Sequence, residues 1–465
     1  MKLTTEELLK SCGGRWLESP KLAGAFTRVT TDSRDIRPGD LFFALVGESF
    51  DAHDYVREAA NQGARAIVVQ RAVDAGTAGA GILLVDDTLK ALGELARGWK
   101  QKYKELKTIA IVGSSGKTTT KEMLGDIANP WTPSLVTKGN LNNLIGLPQT
   151  LFRLESNHCA AILELGMNVP GENERLTEIA DPDCILLTNI THAHIGMFES
   201  EDAHYRAEAE PFLAARPDAH LIVNLDDPKS QQAYQDFGNR RPVWRYSVRE
   251  PADFFITKLS AENPLGYSFM LHTPLATFPV KLALYGRHNV ANAVAAAAAA
   301  TWLGVTPENI QRGLNEFQPR YNRSEAEKVG GITLLKDYYN AIPHAVNLVL
   351  DSMKDIHTSG RRFAVLADML ELGEHEEEMH AAVGRHAAKT GLDGIFTFGN
   401  RAQTISREAE RHGAAVRHFD DMDELAEFLI TLLQKDDVLL IKGSRAMKLE
   451  NLYNKIQPRL DLKTQ

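Results

Sequence analysis

The stretch that most constrains the fold of this chain is TIAIVGSSGKTTTKE, which spans residues 108–122. An apolar run ends at Gly113, a short Gly/Ser loop follows, and Lys117 and Thr118 come directly after Gly116. This order predicts a buried strand, a loop that wraps a phosphate, and a helix whose first N–H groups point at the anion. The sequence therefore predicts a nucleotide site, with the Lys117 ammonium on the phosphates and the Thr118 hydroxyl on a magnesium ion.

The spacing departs from the full phosphate-loop motif, because Ile111 stands where the longer motif has its first glycine. A glycine-rich strand-to-helix turn without a ligand is the alternative. Such a turn has no structural need for Lys-Thr-Thr directly after Gly116, so we favour ATP binding. The residues expected to contact ATP here are Gly113, Ser114, Ser115, Gly116, Lys117, Thr118 and Thr119.

Length and composition limit the classes of protein to consider. A chain of 465 residues is long enough for about three domains, and its 43% hydrophobic residues can fill their cores. The formal net charge of −9 argues against a general binder of nucleic acid or of anionic membranes. Three cysteines without paired spacing fit a reducing compartment and no structural zinc site.

Two features of the chain bear on its location. Residues 1–7 lack the apolar stretch of a signal peptide. The alanine-rich run at residues 293–305 is far shorter than the ~20 residues that a membrane span needs. We therefore expect a cytoplasmic protein.

Apolar runs alternate with helical stretches along the chain, which predicts an α/β fold of three domains. Short apolar runs at 160–165, 184–188 and 221–224 are typical of buried parallel strands with chemistry at their carboxyl ends. We expect domain boundaries near Leu106 and Gln318. The predicted domains are a small α/β domain (1–106), a central P-loop-type mononucleotide-binding domain with a parallel sheet (107–318), and a Rossmann-like domain (319–465).

Polar clusters follow the predicted strands of the central domain. Glu164 ends a strand, and its carboxylate could hold magnesium beside the phosphate loop, although a surface glutamate is the alternative. His192 and His194 follow the next strand, and their spacing is not diagnostic of a metal site. A cluster of side-chain amides could bind phosphate oxygens or a polar substrate, unless it is a simple Asn/Gly-rich connection. It consists of Asn140, Asn142 and Asn143.

Two more clusters follow predicted strands of the third domain. The first is DYYNAIP, which starts at Asp337, and the second is KGSR, which ends at Arg445. If the third domain docks on the nucleotide site, both loops face the cleft between the two domains.

Taken together, these motifs resemble the Mur ligases, the enzymes that build the peptide of bacterial peptidoglycan. The resemblance covers nearly the whole chain, and its motifs follow the order of the family. They are TDSR (31–34), GSSGKTT (113–119), GNLNN (139–143), ELGMN (164–168), TNITHAH (188–194), GRHN (286–289), DYYNAIP (337–343), DMLELG (368–373) and KGSR (442–445).

The resemblance implies an ATP-dependent ligase that joins a carboxylate to an amine through an acyl phosphate. The implied substrates are UDP-N-acetylmuramoyl-tripeptide and D-alanyl-D-alanine, and the implied cofactors are ATP and Mg²⁺. We expect a monomer with small-molecule substrates and with no nucleic-acid or membrane partner. A related ligase for another acid and amine is one alternative, and a nucleotide-binding paralogue without catalysis is the other.

The resemblance also implies roles for single residues. Lys117 and His194 would act in catalysis, and Thr118, Glu164 and His194 would hold magnesium. Asn289 would contact adenine. The residues implied to close over the nucleotide are Asp337, Tyr339 and Asn340. The N-terminal domain, with residues 31–34, would bind the UDP part of the substrate, and the C-terminal domain would bind the incoming amine substrate. The residues implied to contact substrates are Thr31, Asp32, Ser33, Arg34, Asn140, Asn142, Asn143, Asp368, Lys442, Ser444 and Arg445.

The chain departs from the family at one catalytic position. The family usually has a lysine there, and its carbamate supplies an anion to a second magnesium. Glu208 stands at this position, and no lysine occurs between residues 139 and 228. We expect Glu208 to substitute for the carbamate charge, as a catalytic and metal-binding residue. Gly196 likewise stands where an acidic residue is common, and Ile342 where asparagine is usual.

Overall fold

The computed structural model describes residues 2–21, 24–47, 49–73, 76, 79–191, 195–262 and 265–462. The described residues form three β-sheets with helices packed on them, each sheet from one continuous part of the chain. This α/β architecture confirms the predicted fold class. We refer to residues 2–106, 107–318 and 319–462 as the N-terminal, central and C-terminal regions. Both predicted boundaries fall between sheets, while the assignment of domains to functions stays a prediction.

The N-terminal region contains a small sheet in the order β1-β5-β4-β3-β2, in which β1 alone is antiparallel to its neighbour. Its strands are β1 (Arg15–Glu18), β2 (Val29–Thr30), β3 (Leu41–Phe43), β4 (Ala66–Val69) and β5 (Gly81–Leu84). Its helices are α1 (Thr5–Cys12), α2 (Val56–Asn61) and α3 (Thr88–Lys100). The content of Lys, Ala and Leu in residues 89–106 predicts one helix over that range, but α3 ends at Lys100 and a series of turns leads into the next strand.

The central region contains the sheet that carries the phosphate loop. Its strands are β6 (Lys107–Val112), β7 (Ser134–Val136), β8 (Ala160–Glu164), β9 (Cys184–Leu187), β10 (His220–Asn224), β11 (Val243–Ser247), β12 (Phe254–Ala261), β13 (Tyr267–His272) and β14 (Thr277–Leu282). Their order is β14-β13-β12-β11-β10-β9-β6-β8-β7. Strands β6 to β12 are parallel, and the sequence predicted β6, β8, β9 and β10 among them. The strands β7, β11 and β12 were not predicted, nor was the antiparallel extension that β13 and β14 add.

Helices cover both faces of the central sheet. They are α4 (Lys117–Ala128), α5 (Gly146–Leu151), α6 (Glu172–Ala180), α7 (Glu201–Ala214), α8 (Pro228–Ala233), α9 (His288–Leu303) and α10 (Pro307–Glu316). The alanine run of α9 is fully buried in one core with strand residues such as Ile109 and Ile111. Small side chains let α9 approach the sheet and α4 closely, which is the role that its composition predicts.

The C-terminal region contains a sheet in the order β15-β16-β20-β17-β18-β19, in which β15 pairs antiparallel with β16 and the other pairs are parallel. Its strands are β15 (Glu325–Val329), β16 (Ile332–Asp337), β17 (Arg362–Ala367), β18 (Gly394–Phe398), β19 (Val416–Phe419) and β20 (Val438–Lys442). Its helices are α11 (Pro343–Ser352), α12 (Glu376–Ala387), α13 (Gln403–Arg411), α14 (Met422–Leu432) and α15 (Glu450–Leu462).

The C-terminal region is docked on the central region. Tyr285 is buried in a core cluster whose other members are mainly C-terminal residues such as Leu335. The Tyr267 hydroxyl donates to Asp355 Oδ2 at 2.9 Å, and Arg287 Nε donates to the same oxygen at 2.7 Å. These contacts hold the two regions together around a cleft.

None of the described helices is long and apolar enough to span a bilayer.

Candidate active site

The phosphate loop, residues 113–116, connects β6 to α4 at the carboxyl ends of the central strands. Strand β6 lies between β8 and β9, so the loop opens where the strand order reverses, which is the usual ligand-binding position in such sheets. Gly113 and Gly116 have φ values of 118° and 81°. A Cβ atom would lie 2.4 Å from Thr188 Oγ1 at Gly113 and 2.5 Å from Asn292 Oδ1 at Gly116. Both positions therefore require glycine.

Side chains that follow β9 fix the conformation of the phosphate loop by hydrogen bonds. Asn189 Oδ1 accepts hydrogen bonds from the Ser115 N–H and hydroxyl groups, both at 3.1 Å. Thr188 Oγ1 donates to the Ser115 carbonyl at 2.7 Å. The ammonium group of Lys117 donates to the Gly113 carbonyl and so lies over the loop. The loop is thus preformed, with a cation beside the position of an anion.

Glu164 lies at the end of β8 and is only 3% exposed. Its Oε1 atom accepts hydrogen bonds from Thr118 Oγ1 at 3.0 Å and from Asn142 Nδ2 at 2.9 Å. Its Oε2 atom accepts no hydrogen bond from any residue that the structure describes. A buried carboxylate oxygen that accepts no hydrogen bond, next to a hydroxyl group, is a suitable ligand for a hard divalent cation.

The protein side chains would supply only part of the coordination shell of such a cation. Among the described residues, no three His, Cys, Asp or Glu side chains group closely enough to hold a metal ion. A small hard cation such as Mg²⁺ commonly takes one or two carboxylates together with phosphate oxygens and water. The donor set at Glu164 and Thr118 matches that pattern. His194, the other predicted metal ligand, lies outside the described residues.

Glu208 reaches the phosphate loop from α7 and is 4% exposed. Its Oε1 atom accepts a hydrogen bond from Ser114 Oγ at 2.6 Å and lies 3.8 Å from His204 Nε2. Ser114 Oγ also accepts a hydrogen bond from the Thr191 N–H group at 2.8 Å. The structure therefore brings a second carboxylate to the loop itself, whereas Glu164 contacts the first turn of α4.

A cavity of about 630 Å³ opens from the phosphate loop into the cleft between the central and C-terminal regions. This volume is in the range of small-molecule and cofactor sites. Its lining combines predicted ATP residues of the central region with residues of the C-terminal region. The first group includes Ser114, Ser115, Gly116 and Thr119, and the second includes Asp337, Asn340 and Lys442.

The C-terminal wall of the cavity is organised around a buried ion pair. Lys442 Nζ donates to Asp337 Oδ2 at 2.9 Å and to the Asn340 carbonyl at 3.0 Å. Tyr339 lies next to this pair, with the guanidinium groups of Arg323 and Arg445 4.1 Å and 5.3 Å from its ring centroid. The residues predicted to close over the nucleotide thus form one cluster with two residues of the KGSR motif.

Asn289, the predicted adenine contact, does not line the cavity. It is fully buried, and its Nδ2 atom donates to the Tyr285 carbonyl at 2.8 Å and to Ser324 Oγ at 2.9 Å. Its Oδ1 atom accepts a hydrogen bond from Asn292 Nδ2 at 3.1 Å. Asn292 is the side chain that faces the cavity. Both Nδ2 hydrogens of Asn289 are thus used within the protein, and its contact with adenine stays a prediction.

Asp368 and Ser444 lie together but apart from the lining of the nucleotide cavity. Asp368 is buried, and its Oδ1 atom accepts the Ala402 N–H group at 2.7 Å. The Ser444 N–H group donates to the Asp368 carbonyl at 3.1 Å, and Ser444 Oγ accepts the Leu370 N–H group at 2.9 Å. Their predicted contact with a substrate stays a prediction.

The predicted UDP-binding segment lies after β2, at the carboxyl edge of the N-terminal sheet. Thr31 Oγ1 accepts a hydrogen bond from Gln149 Nε2 at 3.1 Å, which ties this segment to the central region. Asp32 pairs with Arg34 at 2.8 Å, and this hydrogen bond lowers the pKa of Asp32 to about 2. Ser33 begins a short 3-10 turn, and the Arg34 side chain is 87% exposed. The segment thus presents charged and polar groups to solvent.

The three predicted amide residues have separate positions. Asn142 donates to Glu164, as described above. Asn143 Oδ1 accepts the N–H group of Gly146, the first residue of α5, at 2.8 Å. Asn140 is exposed on the same loop. Of the three, Asn142 is the one that the structure brings to the candidate metal site.

The structure shows the surroundings of Gly196 and Ile342, two positions at which the chain departs from the family. The backbone of Gly196 packs directly on the backbone of Gly373, and a Cβ atom at Gly196 would lie 2.3 Å from the Gly373 nitrogen. A larger side chain at residue 196 therefore has no room in the docked arrangement. Ile342 is buried and lines the cavity at the start of α11.

Sequence reasoning assigned no role to several residues that line the cavity. Asn292 follows Asn289 by three positions on α9, so helical spacing could have indicated it. His288 is half-buried at the start of the same helix, and loss of solvent around its ring lowers its pKa to about 4. Arg323 lies just before β15, and no sequence pattern places it against Tyr339.

Comparison with known families covers most of the chain. Residues 25–100 match the Mur ligase family, catalytic domain. Residues 111–300 match the Mur ligase middle domain, and residues 322–445 match the Mur ligase, glutamate ligase domain. The three matches follow the order of the three sheets.

Individual proteins match over nearly their full lengths. The UDP-N-acetylmuramoyl-tripeptide–D-alanyl-D-alanine ligase of Escherichia coli (strain K12) is 35% identical, over 92% of this chain and 93% of that protein. The ligase of the same name from Bacillus subtilis (strain 168) is 33% identical, over 91% of this chain and 92% of that protein. Both cover all three regions.

Solved structures show the same arrangement. A crystal structure of MurF from Acinetobacter baumannii superposes with a TM-score of 0.91 at 33% identity, over 98% of this chain and 99% of that one. MurF ligase from Thermotoga maritima in complex with ADP gives a TM-score of 0.83 at 26% identity, over 94% and 98%. This chain belongs to the Mur ligase family, the ATP-dependent ligases that form amide bonds.

Proposed function

We propose that this chain joins D-alanyl-D-alanine to UDP-N-acetylmuramoyl-tripeptide in the synthesis of peptidoglycan precursors. The observation that carries this proposal is similarity along the full chain to ligases named for that reaction. The preformed phosphate loop and the buried carboxylates beside it supply the chemistry that such a reaction needs. ATP and the terminal carboxylate of the tripeptide would react at the central region to give an acyl phosphate and ADP.

The reaction must bring two anions together, the γ-phosphate of ATP and the substrate carboxylate. Lys117 supplies a positive charge directly over the loop, and the N–H groups of the loop and of the first turn of α4 face the phosphates. A magnesium ion would offset the remaining charge on the phosphates. Thr118 and Glu164 are the described residues that would hold it, and His194 stays a predicted ligand.

The C-terminal wall would hold the nucleotide in place. Asp337 and Asn340 line the cavity on that side, and the Lys442 ion pair fixes both positions. The Tyr339 ring packs against the guanidinium groups of Arg323 and Arg445, and these contacts stabilise that wall of the cavity. Docking of the C-terminal region would also exclude water from the acyl phosphate, which water would otherwise hydrolyse.

The other two predicted sites would bind the remaining parts of the substrates. The segment Thr31 to Arg34 would contact the UDP portion, and Asn140, Asn142 and Asn143 would contact the acid substrate near the phosphate loop. Asp368, Ser444 and Arg445 would contact the dipeptide. Its amine would attack the acyl phosphate and give a tetrahedral intermediate, from which phosphate leaves. These assignments rest on the family resemblance of the motifs and on their positions at the carboxyl ends of strands.

Glu208 would take the place of the family's carbamylated lysine. Its carboxylate contacts the phosphate loop through Ser114, which supports a role beside the phosphates. A glutamate stem is shorter than that of a carbamylated lysine, so a bridging water would complete the contact with a metal ion. In this proposal Glu208 supplies a fixed anion without a modification step.

A phosphate-release assay with the purified chain and Mg-ATP tests the function. Release that requires both UDP-N-acetylmuramoyl-tripeptide and D-alanyl-D-alanine is the expected result. Release with a different acid and amine would support the related-ligase alternative instead. If no acid and amine pair gives release while ADP still binds, the chain is a nucleotide-binding paralogue and the proposal is wrong.

The same proposal includes a monomeric enzyme in the cytoplasm. The described cysteines Cys12, Cys159 and Cys184 are free thiols, which suits a reducing compartment. Sedimentation velocity of the purified chain measures the oligomeric state, and a stable dimer at assay concentration would contradict this part of the proposal.

A further inference from the structure

Lys121 is a buried cation next to the candidate metal site, one turn of α4 after Lys117. Its side chain is 0% exposed. Its Nζ atom lies 2.6 Å from Glu122 Oε1 and 2.8 Å from the Thr137 carbonyl, which accepts a hydrogen bond from it. A lysine is almost never fully buried unless its charge is paired and its N–H groups are bonded. The surroundings of this lysine are therefore built specifically for it.

The partners of Lys121 also fix Glu164. Thr137 Oγ1 accepts the Glu164 N–H group at 3.1 Å, while the Thr137 carbonyl accepts from Lys121. The Gly139 carbonyl lies 3.5 Å from Lys121 Nζ and begins the loop that carries Asn142. Asn142 in turn donates to Glu164 Oε1. Lys121 thus anchors both the strand and the loop that determine where the Glu164 carboxylate points.

Lys121 also lies at a specific distance from the free oxygen of that carboxylate. Its Nζ atom is 3.9 Å from Glu164 Oε2, the atom that accepts no hydrogen bond within the described part of the chain. This distance is too long for a hydrogen bond but short enough for electrostatic attraction. The shorter contacts with Glu122 and Thr137 hold the cation back, so that Oε2 stays available to a metal ion.

Glu122 is itself fixed by Arg320, at the start of the C-terminal region. Arg320 Nη1 donates to Glu122 Oε2 at 3.0 Å, and Arg320 Nη2 donates to Asp126 at 2.9 Å. The other oxygen of Glu122 holds Lys121. This network keeps the ammonium group in one place and balances its charge inside the fold.

We propose that Lys121 is a positioning residue for the metal site: it orients Glu164 and the base of the 137–143 loop so that Oε2 can bind a divalent cation on the nucleotide phosphates. The inference rests on the proposed function to the extent that nucleotide and cation bind at the phosphate loop. Residues that act through a metal ligand in this way commonly change metal affinity or activity by about 10- to 100-fold.

The test compares K121Q with the unmodified chain by calorimetric titration of ADP, with and without magnesium. Glutamine keeps a hydrogen-bond donor near Thr137 but removes the charge. We expect ADP affinity without magnesium to be unchanged, and the gain in affinity that magnesium provides to fall by about tenfold. The measurement needs no turnover, so it does not depend on the identity of the acid and amine.

K100Q is the matched control. Lys100 is also buried, with a side chain 8% exposed, and its Nζ atom donates to the Asp181 carbonyl at 2.6 Å in the core between α3 and α6. We expect K100Q to lower the thermal unfolding midpoint about as much as K121Q does, without changing the magnesium dependence of ADP binding.

The other outcomes would overturn the inference. If K121Q lowers the unfolding midpoint as K100Q does but keeps the full effect of magnesium, Lys121 only stabilises the fold. If magnesium binds more tightly in K121Q, Lys121 repels the cation and does not position its ligand. Failure of the unmodified chain to bind ADP more tightly with magnesium contradicts the proposed nucleotide site itself, and so is distinct from both results.

E122Q provides a second test should K121Q fail to fold. Loss of the Glu122 charge weakens the 2.6 Å contact that holds Lys121, and Glu164 Oε2 becomes its nearest carboxylate oxygen. Lys121 would then compete with the metal ion for that oxygen, and we expect the effect of magnesium on ADP affinity to fall again. An unchanged magnesium effect in E122Q would contradict the positioning role.

Discussion

The two ends of the nucleotide cavity are built in different ways. At the phosphate end, the loop, Glu164 and Glu208 belong to one region, and each carboxylate is held by hydrogen bonds from neighbouring elements of the central sheet. At the far end, the wall comes from a second sheet. It is held against the first by the contacts of Tyr267 and Arg287 with Asp355.

This difference indicates which parts of the site form independently. The phosphate end depends on one continuous sheet with a core on each face, so we expect its geometry to be set once the central region folds. The far end depends on docking, and its contacts are partly exposed polar pairs of the kind that separate easily. We therefore expect changes at the phosphate end to affect chemistry, and changes at the far end to affect nucleotide binding and docking.

The largest effect is expected from Glu164→Gln. It keeps the shape of the side chain but removes the charge that would hold a divalent cation, so phosphate release should fall by at least about 100-fold. The measurement is kcat for phosphate release at saturating substrates. The control is Glu178→Gln, which breaks an ion pair with Arg175 on α6 outside the cavity lining. Activity of the Glu164 variant within a fewfold of the unmodified chain would contradict the expectation that the phosphate end determines the chemistry.

Glu208→Gln should have a smaller, magnesium-dependent effect. Its carboxylate contacts the loop through one hydroxyl group, so we expect phosphate release to fall about tenfold at limiting magnesium and to recover largely at saturating magnesium. The control is Glu210→Gln on the same helix, whose carboxylate accepts N–H groups at the start of α6. Unchanged turnover at limiting magnesium would show that Glu208 does not replace the carbamate.

Asp355→Asn tests the far end. It weakens the pairing with Arg287, a partly exposed ion pair worth about 1 kcal/mol, which corresponds to about fivefold in the docked population. We expect the KM for ATP to rise by that factor with kcat nearly unchanged, and the radius of gyration in solution to increase. Asp420→Asn, in an exposed pair with His418, serves as the control. A fall in kcat without a change in KM would contradict the expectation that the far end affects nucleotide binding and not the chemistry.

The smallest effect is expected from His288→Gln and concerns pH. The pKa of His288 is lowered to about 4 by burial, which the charges of Lys442 and His344 reinforce and that of Asp337 opposes. In the unfolded chain the ring titrates near 6.5. The unfolded chain therefore binds the proton first, so stability is complete above about pH 6.5 and is lost progressively as the pH falls toward 4.

Removal of the titrating ring should flatten that part of the stability profile. We expect the unfolding midpoint of His288→Gln to change by about 2 °C less than that of the unmodified chain over this pH range. His412→Gln, at an exposed histidine of the C-terminal region, should keep the original profile. Identical profiles for His288→Gln and the unmodified chain would mean that the ring is accessible to protons in the folded state.

The strands and helices that carry the site could be read from the sequence with few errors. The apolar run before Gly113 and the run that ends at Glu164 are short, wholly buried parallel strands, which give a clear signal. The extension β13 to β14 was missed because one face of these strands is exposed and their apolar residues alternate with polar ones. The end of α3 was placed six residues too late because helical composition continues through the turns that follow Lys100.

The sequence alone predicted the phosphate loop as the nucleotide site, because the glycine positions, Lys117 and Thr118 are set by local backbone geometry and lie next to each other in the chain. It also determined the family, through the order of the motifs.

Only the tertiary structure decided which side chains meet. Ser114 and Glu208 are 94 positions apart, Asn292 faces the cavity while Asn289 is buried, and Lys121 lies behind Glu164. Such contacts depend on how strands order themselves in a sheet and how two regions dock. Neither leaves a periodic pattern in the sequence.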